Sequence, residues 1–150
     1  MTKSWVDTVL THDNNWLVLV VHGVDGLGYE ALPHELIDEY YQYIKAKQDE
    51  NKVWVATFGD VAKYMRERVA AKVQSSEKGG KITVTLTHPL DKTLYNVPLT
   101  LKTYVSSAWK QVTVKQGNKS QRVSTAIDEK GTYLLYQADP NSRTIELSAG

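Results

Sequence analysis

The residues best placed for chemistry gather around one histidine. His22 follows an unbroken apolar run, Trp16-Leu-Val-Leu-Val-Val21, and precedes a glycine-rich stretch, Gly23-Val-Asp-Gly-Leu-Gly28. An imidazole can act as general acid or base, or ligate a metal, near neutral pH. In the same place it can simply satisfy a loop hydrogen bond. Asp25, three residues on, either orients His22 or caps the loop. The other histidines read as surface residues: His12 in a polar turn, His34 in the first turn of a helix, His88 before a proline at a strand end. Neither the histidines nor the carboxylates have a metal-ligand spacing such as His-Glu-x-x-His, and the chain has no cysteine, which removes disulfides, thiol catalysis and thiolate metal sites. The glycine-rich stretch lacks phosphate-loop spacing and its following lysine.

The elements that must position His22 alternate helix and strand signals. Ser4 and Asp7 have capping-box spacing, Trp5, Val6, Val9 and Leu10 share a helical face, and Asp13-Asn14-Asn15 breaks that helix. The run 16–21, apolar at every position, reads as a strand covered on both faces, the pattern of a parallel sheet flanked by helices. A helix follows from Pro33, with Leu36, Ile37, Tyr40, Tyr41 and Ile44 on one side, and Val53–Ala56 reads as a second strand. A last helix, opened by Thr57 and Asp60, is expected to bury Phe58, Val61, Met65 and Val69. In such folds the C-terminal end of a strand, where His22 stands, is where ligands bind.

Beyond Ser75 the period changes from helical to two. Ser75-Ser-Glu-Lys-Gly-Gly80 reads as a linker, after which Ile82, Val84 and Leu86 alternate with threonines, and Val97, Leu99 and Leu101 do the same. Further strands are expected from Trp109, over 122–127, over 132–138 and over 144–147, with turns at His88-Pro89, Gln116-Gly117-Asn118 and Asp139-Pro140-Asn141. The fold class is therefore α/β plus all-β: a partial (β/α) barrel remnant over 1–74, a linker over 75–80, and a small antiparallel, immunoglobulin-like β-sandwich over 81–150. Trp109, Tyr95, Tyr104, Tyr133 and Tyr136 either fill the sandwich core or offer a surface for stacking sugar rings.

Charge is nearly balanced at +1, so nucleic acid and acidic membrane surfaces are not indicated as partners. The longest apolar run is too short to span a bilayer, and no signal peptide is visible in this chain. A lone strand–helix–strand piece leaves sheet edges and helix faces uncovered, which favours a homo-oligomer.

The segment Trp16–Asp25, together with Lys52-Val-Trp-Val-Ala-Thr-Phe-Gly-Asp60-Val-Ala-Lys-Tyr64, resembles the end of a NodB-type polysaccharide deacetylase domain, carbohydrate esterase family four. The resemblance implies a hydrolase that removes acetyl groups from a polysaccharide or oligosaccharide, secreted or periplasmic, with His22 as the catalytic acid protonating the leaving group. Val20, at the family's leucine position, would wall the acetyl pocket as a substrate-binding residue. It also implies a divalent, zinc-like metal in the full-length enzyme. This chain has no metal ligands for it: a Thr-Phe-Asp-Asp segment and a His-x-x-x-His pair are both missing. The expectation is thus a deacetylase fragment inactive by itself. The alternative is a carbohydrate-binding or structural β-sandwich module that self-associates.

Overall fold

The computed structural model describes residues 3–12 and 14–150. Two compact units divide it, 1–58 and 59–150.

In the first unit, helix α1 (Lys3–Thr11) and helix α2 (His34–Asp49) hold a small core of Val6, Ile37 and Tyr40. Lys3 pairs with Glu39 at 2.6 Å and the Tyr43 hydroxyl donates to Asp7. Asp13, expected to help end α1, lies outside the described residues; Asn14 takes a left-handed backbone with φ 62°. The glycine-rich stretch is a tight turn rather than a loose loop. Val24 and Leu27 exchange backbone hydrogen bonds, and Leu32 N–H donates to Gly23 O. A Cβ on Gly23 would sit 1.9 Å from Leu27 O, so only glycine closes this turn.

The strands expected at 16–21 and 53–56 do not form. Both segments lack regular secondary structure, and Val18, Val20, Trp54 and Val55 are exposed. An all-apolar strand needs a neighbouring strand for its backbone and a layer on each face. Among the described residues neither segment is given them, and the expected barrel remnant is not found.

The second unit holds all but the first residue of helix α3 (Phe58–Ala70) and continues as an antiparallel sandwich. Strands β1 (Lys72–Lys78), β2 (Lys81–Thr87), β8 (Ile145–Ala149), β4 (Gln111–Gln116) and β5 (Lys119–Ser124) form one sheet in the order β1-β2-β8-β4-β5. Strands β3 (Leu99–Tyr104), β7 (Gly131–Ala138) and β6 (Ala126–Asp128) form the other, in the order β3-β7-β6. One continuous core joins them, with Ile82, Val84, Leu86, Val112, Val114, Ile145 and Leu147 facing Leu99, Leu101, Leu134, Tyr136 and Ala138. These are the period-two positions of each strand, so local alternation dictates which residues go inside. The fold is mixed α/β with a β-sandwich part.

Two sequence expectations change here. The stretch 75–80 is no linker: its first four residues complete β1, in register with β2 from Lys72↔Thr87 to Lys78↔Lys81, and Gly79-Gly80 make the hairpin turn at φ 59° and 72°. Helix α3 also turns the other way. Phe58, Met65 and Val69 are exposed, while Glu67 is fully buried and Tyr64 and Ala71 pack against the sandwich core.

Candidate functional site

Strands β3 and β7 alternate strictly, so each residue of the outer face of the small sheet is set by its buried neighbours. Leu99 and Leu101 point inward, leaving Thr100, Lys102 and Tyr104 outward; Leu134, Tyr136 and Ala138 point inward, leaving Tyr133, Leu135 and Gln137 outward. The register places Tyr104 opposite Tyr133, and Tyr133 opposite Ala126 on β6, with Asp128 two residues further along. The two tyrosine rings meet edge to face at 6.1 Å between centroids. Such pairs are worth roughly 0.5–1.5 kcal/mol beyond the area they bury.

A charged pair braces them. The Lys102 ammonium lies 3.9 Å from the Tyr133 ring centroid and 5.3 Å from that of Tyr104, and bonds Asp128 Oδ2 at 2.5 Å. The Tyr104 hydroxyl donates to the same oxygen at 3.0 Å, while Lys130 N–H donates to Asp128 Oδ1 at 2.9 Å. These partners, Lys102 first, lower the Asp128 carboxyl from its ordinary value of 3.8 to about 2. The same bond raises the Lys102 ammonium. The result is a preset surface of two aromatic rings, an ammonium and a carboxylate, with Leu135 exposed beside them. Aromatic faces take the apolar side of a pyranose ring, and fixed charged groups take its hydroxyls.

The other aromatics singled out in the sequence serve differently. Tyr136 is buried in the core, its hydroxyl 3.0 Å from Thr103 Oγ1, and Trp109 packs half-buried against the core. Tyr95 carries the Arg66 guanidinium over its ring at 5.7 Å. Lys102 and Asp128 were not legible as site residues, although the alternation of β3 already places Lys102 beside Tyr104 on the outer face.

His22 and Val20 stand apart from this surface in sequence and belong to the other unit. His22 is exposed, with its ring edge-on to Tyr29 at 5.8 Å, and Val20 is 72% exposed. Asp25 does not orient His22. It accepts the His34 backbone N–H at 2.8 Å and contacts His34 Nδ1 at 2.9 Å, capping α2. Asp25, His34 and Glu35 bring three ligand atoms within 4.8 Å of one another. All three are exposed, and they sit at a helix N-terminus, whose positive end disfavours a cation. His88, expected at the surface, is buried beside Glu67.

Comparison with known proteins decides the family question against the deacetylases. The chain is 30% identical over 159 residues to a gellan lyase from a Bacillus species. That relative is a polysaccharide lyase. The alignment covers 98% of this chain and 6% of the lyase, so the chain spans only a small part of the relative it matches. No described protein family and no solved structure match the chain. The resemblance to carbohydrate esterase family four is overturned, and with it the deacetylase and hydrolase reading, in agreement with the missing strand at 16–21. His22 and Val20 took their expected roles from that resemblance. Among the described residues, no helix is long and apolar enough to cross a membrane.

Proposed function

We propose that the sandwich unit is a polysaccharide-binding module whose binding surface is the outer face of β3, β7 and β6. The observation that carries this reading is the Tyr104–Tyr133 pair, held edge to face on the outer face of the small sheet by Lys102 and Asp128. Tyr104 is exposed and Tyr133 half-buried on the outer face, whereas the core is filled from the inner face by Leu134 and Tyr136. Similarity to part of a gellan lyase supports a polysaccharide as ligand. The module would act by keeping a polymer close, in the secreted or periplasmic setting where such polymers are met.

The test is affinity electrophoresis through gels containing soluble neutral polysaccharides, xylan among them. The unmodified protein is expected to be retarded by at least one. Tyr104→Ala combined with Tyr133→Ala is expected to raise the apparent Kd about tenfold or more, since losing an anchor worth about 1.4 kcal/mol is a tenfold change. Circular dichroism should show the sandwich intact in that variant. Equal retardation of variant and unmodified protein would overturn the proposal.

A further inference from the structure

The net charge of +1 conceals a segregation that appears only when strand register is applied. Lys78 on β1 pairs with Lys81 on β2, Lys81 with Ser148 on β8, Ser148 with Thr113 on β4, and Thr113 with Arg122 on β5. Residues paired directly across strands share a face, and the neighbours of these residues, Ile82, Val112 and Leu147, are core. The row therefore crosses the whole outer face of the five-stranded sheet, about 19 Å at the usual strand spacing of about 4.8 Å. The adjacent row, Ser76, Thr83, Glu146, Lys115 and Ser120, adds one cation and one carboxylate, and Lys72 opposite Thr87 adds another cation.

This face thus holds five basic residues, Lys72, Lys78, Lys81, Lys115 and Arg122, against Glu146 alone. That is a surplus of four positive charges on a chain whose total is +1, so the rest of the molecule is net negative. All five are exposed, and among the described residues none makes an ion pair, whereas Lys102 and Lys119 are each bound to an aspartate. Between the cations lie threonines, serines and glutamines, with no aromatic and no large apolar side chain. At one border Lys115 and Glu146 help line a shallow depression of about 480 Å³, together with Gly117, Ser142, Arg143 and Thr144.

We propose that the outer face of the five-stranded sheet binds an acidic polysaccharide, a polymer bearing uronate carboxylates along its length. This rests on the carbohydrate reading above but uses the opposite sheet and none of its residues. Spaced, uncompensated cations on a flat sheet match a polymer with regularly repeated carboxylates, and the intervening hydroxyls suit sugar hydroxyls. A membrane would call for apolar side chains to insert, and a single-stranded nucleic acid for aromatics on which bases stack. This face offers neither.

The test uses the full chain, with polygalacturonate as probe and a neutral xylan as control. Unmodified protein is expected to be retarded in polygalacturonate gels, with retardation falling as salt is added. A variant carrying Lys81→Ser, Lys115→Ser and Arg122→Ser is expected to lose at least about tenfold in apparent affinity for polygalacturonate, equivalent to 1.4 kcal/mol. Its behaviour in xylan gels should be unchanged. The charge-preserving variant Lys81→Arg, Lys115→Arg, Arg122→Lys should retain binding, which separates lost charge from a damaged fold. Three outcomes would overturn the proposal: no binding by unmodified protein, unchanged binding by the serine variant, or tighter binding of double-stranded DNA or phosphatidylserine vesicles than of polygalacturonate. Failure of the tyrosine variant to affect xylan would instead refute the small-sheet surface and leave this one standing.

Discussion

Asp128 is the residue on which the small-sheet surface turns. Its carboxylate gathers the Lys102 ammonium, the Tyr104 hydroxyl and the Lys130 backbone N–H, and so fixes how both rings are presented. Because its folded value, about 2, lies below the ordinary 3.8, its contribution to stability is fully present above about pH 3.8. That contribution is lost as pH falls through about 2. The surface should therefore keep its geometry throughout the mildly acidic range. Carbon-detected NMR of the Asp128 carboxyl is expected to give a midpoint near 2, moving back towards 3.8 in Lys102→Met. A midpoint near 3.8 in the unmodified protein would mean that Lys102 does not hold it. The residues around Asp128 illustrate what a sequence hides: Lys102 and Asp128 are 26 positions apart, and only strand register makes them partners.

At the scale of elements, helix α3 shows how a buried polar contact can outweigh an apolar stripe. Spacing alone points Phe58, Val61, Met65 and Val69 inward, yet Phe58, Met65 and Val69 are exposed and Glu67 is buried. The sandwich offers α3 a specific partner. Glu67 Oε1 accepts the Val97 N–H at 3.0 Å, and Oε2 faces His88 Nε2 at 3.4 Å, with both side chains fully enclosed. Asn141 accepts the His88 backbone N–H at 3.0 Å and so holds the far side of the imidazole's residue. Removing the carboxylate leaves buried polar groups without partners, a loss of about 1–3 kcal/mol. Glu67→Ala is expected to lower stability by that amount in urea denaturation, and Glu67→Gln, which can still accept from Val97, by less. Equal stability of Glu67→Ala and the unmodified protein would show that this contact does not seat the helix.

The whole molecule divides unevenly. The unit over 59–150 carries the continuous two-sheet core, whereas the described part of 1–58 buries only Val6, Ile37 and Tyr40 among its apolar side chains and exposes Trp5, Trp16, Trp54 and Phe58. Isolated short helices with so little buried apolar surface are marginal in water. Residues 59–150 expressed alone are expected to unfold in one cooperative transition by circular dichroism, with near-native near-ultraviolet bands from Trp109 and the tyrosines. Residues 1–58 alone are expected to melt gradually. A non-cooperative melt of 59–150 would place essential sandwich contacts in the first unit.

By itself the sequence determined the local pattern. Period-two alternation at Ile82, Val84 and Leu86 and at Val97, Leu99 and Leu101 reads as strands with one buried face, and the frequent turn residues indicate a sandwich; caps and helical spacing located the starts of α2 and α3 within a residue or two. Local physics suffices there because each inward side chain is chosen by its own neighbours in the chain. What only the tertiary structure decided depends on partners distant in sequence. The apolar run at 16–21 reads as a buried strand, but a strand exists only when another strand accepts its hydrogen bonds, and none does so among the described residues. Ser75–Lys78 reads as a linker, but β2 recruits it as an edge strand. His22, the residue with the most evident chemistry in the sequence, is left in solvent, while the tyrosine surface and the basic row are assembled by register from three and five strands' worth of unremarkable positions. Composition gave a charge near zero; the fold sorted that charge onto one face.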